Sequence, residues 1–378
     1  MLSKSFIRVF GIAAACVFAL SIDGSAQHGT ARPSRGSDHT ARQPRPILLG
    51  VSGGSATDSA NGFCCSGTLG AVVTNGLKQY ILSNTHVFAG DVTVGGNGRI
   101  SAVGDDIDQS GLVDVGCQYI AGDIVADLTD WAPFGQFNID AAIAEVRAGQ
   151  VRSDGAILDI GTIANTTVSA FVGQGVKKSG RTTGLTRSAI SALNATVNVG
   201  YTDECAGNNF TVGYTGQVLI SNKASRFLNS GDSGSLMVED VATNPRAVGL
   251  LYAGSSSIAV ANPIGDVLNH FGVSMVGAAA SAAVSTAETG PTSARGLARA
   301  IAIQERHSRE LLNVPGAVGH AVGVGNSPVI KILVQQLTPR SQAAAPRQLE
   351  GVPVVLEEVG EIRGMPFCSK RAVSRKAR

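Results

Sequence analysis

A serine set among glycines is the first residue with chemical reach. Gly231-Asp232-Ser233-Gly234-Ser235 follows a polar loop and precedes the apolar run Leu236-Met237-Val238. The glycines let the backbone turn tightly, so that successive N–H groups face one anion. The N–H groups of Gly231 and Ser233 then suit the oxyanion of a tetrahedral intermediate. A serine hydroxyl is a weak nucleophile until a base takes its proton, and the base must itself be oriented. Between 47 and 277 the only histidines are His86 and His270. His270 falls in a helical pattern and reads as a partly exposed structural residue. His86 ends Ile81-Leu82-Ser83-Asn84-Thr85-His86, an apolar strand running into small polar residues. Asp140 enters the apolar run from 137 to 144, where a buried carboxylate needs a partner. Taken singly, each has a plainer reading: a histidine at a strand end, an aspartate capping a turn.

Taken together, the three stand in the order His, Asp, Ser with separations of 54 and 93 residues. In this the chain resembles the chymotrypsin-like (trypsin-like) serine peptidase family, bacterial secreted type. Ser83-Asn84-Thr85-His86 stands where the family has Thr-Ala-Ala-His. Asn138 to Val146 stands for its Asp-Ile-Ala-Leu segment, and Gly231 to Ser235 matches its nucleophile loop. Cys64 to Val73 resembles the strand before the histidine, and Val248 to Gly254 the strand that walls the substrate cleft. Lys177 to Thr186 resembles the stretch opening the second barrel in bacterial relatives. The resemblance covers roughly 47–275.

It implies an all-β fold of two six-stranded antiparallel β-barrels, with His86 and Asp140 on one, Ser233 on the other and the cleft between. It implies that Ser233 attacks the scissile carbonyl, His86 relays the proton and Asp140 holds the imidazole. Gly231 and Ser233 would form the oxyanion hole, and Phe227, Ala253 and Gly254 would contact substrate. No cofactor or metal is implied. Some positions depart from the family. Val87 replaces a cysteine, and Phe227 stands at the pocket base where an aspartate would select Lys or Arg. Ile47-Leu48-Leu49-Gly50 is a poor match to the usual activated N-terminus, so Asp232 is expected to hold its loop through internal hydrogen bonds.

The positioning elements read as short strands between Gly, Asn and Asp turns from 47 to 276. One short helix is expected at 263–273, with Ile264, Val267, Leu268 and Phe271 on its apolar face. Before this peptidase domain, 27–46 reads as a disordered basic pro-segment or linker. After it come an Ala/Ser/Gly-rich linker at 277–296 and a small α/β module at 297–365. The module has a helix at 297–312 and three strands, and is marginal in size by itself. A basic tail covers 366–378.

Residues 1–26 read as a secretory signal: Lys4 and Arg8, an apolar stretch from Val9 to Ile22, then Gly24-Ser25-Ala26 before Gln27. Of the remaining cysteines, Cys117 and Cys205 are each expected to pair with one of Cys64 and Cys65, leaving Cys368 over. Asp105, Asp106, Asp108 and Asp114 read as a solvated acidic loop rather than a Ca²⁺ site, and Lys177 to Arg181 as an exposed turn.

The 378-residue chain is 44% hydrophobic and 15% charged, with a formal net charge of +2. That excludes a wholly disordered chain and gives no support to nucleic-acid binding. No membrane span is expected once the signal is removed. Between 47 and 277 there are 11 Lys/Arg against 19 Asp/Glu, so an acidic body carries basic flanks. The expected function is a secreted or periplasmic serine endopeptidase acting on polypeptide. An α/β-hydrolase esterase needs Gly-x-Ser-x-Gly and the order Ser, Asp, His, and Ser235 and the observed order break both. A catalytically silent peptidase-fold protein is the other alternative, binding peptides or recruiting an unknown partner through the C-terminal module.

Overall fold

Short runs of β-branched and small residues pair here into two large, mainly antiparallel sheets and one two-stranded ribbon. The computed structural model describes residues 37–93, 99–222, 226–279 and 291–370, with 205 and 291–294 by backbone alone. The expected signal segment lies outside the described residues. The class is all-β, as expected.

The first sheet runs, neighbour to neighbour, through Ser274–Met275, Ala71–Thr74, Gln79–Ser83, Ala142–Val146, Ile124–Trp131, Asp106–Asp108, Val51–Ser55, Phe63–Leu69 and Ser59–Ala60. Its interior is filled by Leu49, Leu69, Ile81, Phe88, Ile107 and Leu128. In the second sheet six strands pair in a circuit. Gly175–Gly180 pairs with Leu236–Glu239, then follow Ala247–Gly254, Ile258–Pro263, Phe210–Ser221 and Gly184–Tyr201, which returns to Gly175–Gly180.

A further cluster joins the sheets. Leu82, Ile139, Ala141, Leu236, Leu250 and Val267 are all buried in it. The segments carrying His86, Asp140 and Ser233 therefore share one core. The helix Ile264–Phe271 closes this cluster with Ile264, Val267 and Leu268 buried, as its apolar spacing requires.

The C-terminal elements extend the second sheet. Ala317–Val324 pairs antiparallel with the long strand Gly184–Tyr201, and Pro328–Val334 follows, then Val352–Glu358 in parallel. The long strand has three register irregularities between Ile190 and Val197, so one strand serves both the circuit and the extension. Helices Pro291–Arg306 and Ser308–Leu312 cover the added strands over Ile303, Leu311, Val322 and Ile332.

Three expectations about the flanks are corrected. Residues 37–46 are ordered, because the acidic body supplies acceptors for them. His39 lies between the Gly50 carbonyl (2.8 Å) and the Asp159 carboxylate (2.9 Å), and Arg42 reaches Asp123. Arg45 donates to the carbonyls of Gln109 and Asp123. The expected linker is helical from Pro291. The expected basic tail contains a strand, Phe367–Lys370, paired with Phe63–Leu69 of the first sheet.

Candidate active site

Strand Gln79–Ser83 ends at Asn84 and turns into a single helical turn, Thr85–Phe88, which is wholly buried. Side chains pin that turn to the segment before Ala142–Val146. Asn84 Nδ2 donates to the Asp140 carbonyl at 2.7 Å, and Thr85 Oγ1 to the Ala141 carbonyl at 2.9 Å. This brings His86 Nδ1 to 2.6 Å from Asp140 Oδ2, with both side chains fully buried. The His86 backbone N–H also donates to Asp140 Oδ1. A buried carboxylate needs its oxygens satisfied. Tyr201, at the end of its long strand, donates its hydroxyl to Asp140 Oδ2 at 2.7 Å, and Tyr214 lies 2.8 Å from that hydroxyl. Burial pushes the Tyr201 phenol well above its usual range, with Asp140 adding to the effect, so it stays a donor. Asn262 accepts from the Asp140 N–H and donates to its carbonyl.

Ser233 lies on the second sheet's side of the same core. Its carbonyl accepts from Thr68 N at 2.8 Å, and the Thr68 carbonyl accepts in turn from Ser83 Oγ, at the end of the strand leading to His86. Its hydroxyl donates to the Tyr252 carbonyl at 3.0 Å and accepts from the Met365 N–H at 3.2 Å. His86 Nε2 is buried and has no hydrogen-bond partner. The structure thus joins His86 to Asp140 and leaves Ser233 facing another acceptor. Gly231, at φ +96°, directs its N–H onto the Met365 carbonyl at 2.6 Å. A side chain at Gly231 would stand 2.3 Å from Thr182 Oγ1, so the position needs glycine for space as well as conformation.

Between them sits Asp232, fully buried. It accepts from Thr182 N, Thr183 N, Thr183 Oγ1 and Asn229 N, and lies 3.2 Å from Lys178 Nζ. Lys177 to Arg181 is therefore no exposed turn. Lys178 is inward-facing in Gly175–Gly180, also bonded to Thr183 Oγ1, and burial lowers its pKa while Asp232 opposes that. Arg181 forks onto Asp114.

Phe227 is fully buried among Val176, Ile190, Leu228 and Val248, with Met365 packed against the group. Ala253 and Gly254 pair through their backbones with Gly364 and Arg363. Ala253 and Gly254 therefore touch residues 363–364, and Met365 packs on the cluster that holds Phe227.

The acidic loop is partnered rather than solvated. Asp105 pairs with Arg99, Asp106 with Arg147, and Asp108 accepts from Gly54 N. Burial holds the Asp108 carboxyl well above the usual range. Cys64 bonds Cys117, as one of the expected pairings has it, but Cys65 bonds Cys368 and not Cys205. Strand pairing places Cys368 directly opposite Cys65. The sequence reading missed Tyr201, Lys178 and Met365. For Lys178 a signal existed: two adjacent lysines in a strand point to opposite faces, so one must turn inward.

A family model described as the Nal1 C-terminal domain matches residues 128–261. No curated protein sequence matches the chain. Among solved structures, the chain is similar to a glutamic acid-specific serine protease said to use a histidine triad in substrate binding. Identity is 21%, over 61% of this chain and 100% of that one, at a TM-score of 0.41. It is also similar to Thermobifida fusca protease A (17%, 61% and 99%, 0.41) and to Nocardiopsis protease (16%, 61% and 98%, 0.39). These neighbours are serine proteases of chymotrypsin-like fold, the family the sequence resembles. No helix among the described residues is long and apolar enough to cross a membrane.

Proposed function

We propose that the chain is a secreted serine endopeptidase that hydrolyses peptide bonds through Ser233, His86 and Asp140. The observation that carries this reading is the buried His86–Asp140 pair, 2.6 Å apart, together with the Gly231 N–H directed onto the carbonyl of Met365, whose own N–H reaches Ser233 Oγ. In this reading the Ser233 hydroxyl leaves the Tyr252 carbonyl and pairs with His86 Nε2, which has no hydrogen-bond partner at rest. His86 then takes the hydroxyl proton as Ser233 Oγ adds to the carbonyl carbon, and Asp140 stabilises the imidazolium. The N–H groups of Gly231 and Ser233 receive the oxyanion. His86 gives its proton to the departing amine, and water releases the acyl group by the reverse sequence. Two disulfides favour an oxidising compartment, secreted or periplasmic.

A silent, peptide-binding role is the second reading, favoured by the Ser233 hydroxyl resting on Tyr252. Fluorophosphonate labelling separates the two. It is run on the full chain and on Cys368→Ser, because Met365 stands across Ser233. Endopeptidase chemistry gives an adduct on Ser233 that disappears in His86→Ala. Well-folded protein that takes no label in either form leaves the silent role.

A further inference from the structure

The cleft is filled by the chain itself, in the register of a ligand. Gly364 lies opposite Ala253 and Arg363 opposite Gly254, antiparallel, on the strand expected to hold substrate. On the other side, Gly200 N–H donates to the Ile362 carbonyl at 3.0 Å. The Met365 N–H reaches the Tyr252 carbonyl at 3.2 Å, and its carbonyl takes the Gly231 N–H at 2.6 Å. The Met365–Pro366 bond thus lies where Ser233 would attack. Beyond it, Phe367 sits under the Arg181 guanidinium at 4.2 Å, and Phe367–Lys370 runs antiparallel to residues 63–66. Cys368 is bonded to Cys65 there.

We propose that residues 362–370 are a tethered occupant of the cleft that mimics substrate, and that they show which peptides the site takes. That class is an extended chain with an unbranched apolar side chain in the pocket and glycine before it. The proposal rests on the endopeptidase reading for its mention of substrate. Occupancy itself does not depend on turnover.

Side chains define the class. Met365 packs against the cluster of Phe227, Leu228 and Leu251, with Ser230 Oγ 3.8 Å from its sulfur. A charged side chain there would be desolvated against this apolar cluster. A Cβ on Gly364 would lie 2.8 Å from Tyr201 Cε1, and Tyr201 is anchored by its bond to Asp140. Larger residues are therefore excluded before Met365.

Two features keep the occupant in place. Pro366 makes the bond a tertiary amide whose ring Cδ crowds the preceding residue. The Cys65–Cys368 bond holds the far side, so a detached segment rebinds at high effective concentration.

The test compares the full wild-type chain with Met365→Asp and Cys368→Ser. Hydrogen exchange is read on peptides spanning 362–365 and 229–233, and fluorophosphonate labelling on Ser233. Wild type protects both peptides, and both variants lose protection at 362–365. Label enters the variants at least about tenfold faster than wild type, as expected for a tethered competitor. Ser233 in Met365→Asp is shielded by added Ile-Arg-Gly-Met-Pro and not by Ile-Arg-Gly-Glu-Pro. Should Met365→Asp fail to fold, Cys368→Ser carries the comparison and the shielding. Rapid exchange at 362–365 in wild type overturns the proposal whatever the chemistry. Equal labelling of wild type and variants also overturns it, while leaving the endopeptidase intact. Shielding by both peptides overturns the stated preference. Protection with no labelling in any form sinks the endopeptidase and leaves the occupant standing.

Discussion

On the first sheet, His86 and Asp140 draw their hydrogen bonds from the body of the molecule: Tyr201 and Asn262, with Asn84 and Thr85 bracing the turn. On the second, Ser233 accepts from the Met365 N–H and Gly231 donates to the Met365 carbonyl, more than 130 positions further along. The His86–Asp140 half is assembled by strands of both sheets. The other is completed by a borrowed segment. A buried charge tolerates no alternative partner, so the carboxylate side is over-determined. A hydroxyl and an N–H that must meet successive ligands are instead left with bonds that can be exchanged.

The largest effect tests the chemistry that spans both halves. In a Cys368→Ser background, Ser233→Ala or His86→Ala should lower kcat by about 10⁶-fold, and Asp140→Asn by about 10⁴-fold, judged by initial rates on an apolar peptide. An Asp140→Asn rate equal to its parent would reduce the assembled half to scaffolding.

Next comes the support of the exchangeable half. Lys178→Met strands the Asp232 carboxylate, fully buried beside it. Denaturant titration should show a loss of about 3–5 kcal/mol, the usual result of breaking a buried pair from one side. A change below 1 kcal/mol would mean the Thr182, Thr183 and Asn229 bonds suffice.

Acid should loosen the C-terminal extension of the second sheet, beyond the strand that ends at Tyr201. His320, buried between Gln304 and Ser308, has its pKa lowered from 6.5 to about 4 by burial. The unfolded chain then binds the proton first, so stability falls as pH drops from 6.5 towards 4, by at most about 3 kcal/mol. Urea midpoints at pH 7 and pH 4.5 measure the slope, and His320→Gln should flatten it. An unaltered slope in that variant assigns the acid response elsewhere.

The smallest change touches the over-determined half. Tyr201→Phe removes one charge-assisted bond to Asp140, worth about 1.5–3 kcal/mol. We expect kcat/KM to fall by about 10–100-fold with the fold retained, and no change would make Tyr201 a packing residue.

How far the sequence disclosed this site follows the range of the interactions. His86, Asp140 and Ser233 each sit in a local run with a recognisable strand or turn pattern, and the helix Ile264–Phe271 declares itself by its spacing. Tyr201 gave no such sign, since its partner Asp140 is 61 residues away and the contact exists only after both sheets form. Lys178 was misread because a lysine is seldom buried without a paired charge, and that charge lies on another loop. Residues 366–370 were assigned to a basic tail because composition outweighed a four-residue strand. The pairing of Phe367–Lys370 with Phe63–Leu69 is written in no local period. Helix Pro339–Ala344 was overlooked although Thr338 and Ser341 form a capping box and Pro339 opens the first turn.

The cation that faces Asp232 comes from within a strand. No new amino terminus has to be created ahead of Ile47 for the loop to take its shape. On the proposed reading, access to Ser233 is set at the rear of the chain, by when residue 365 lets go.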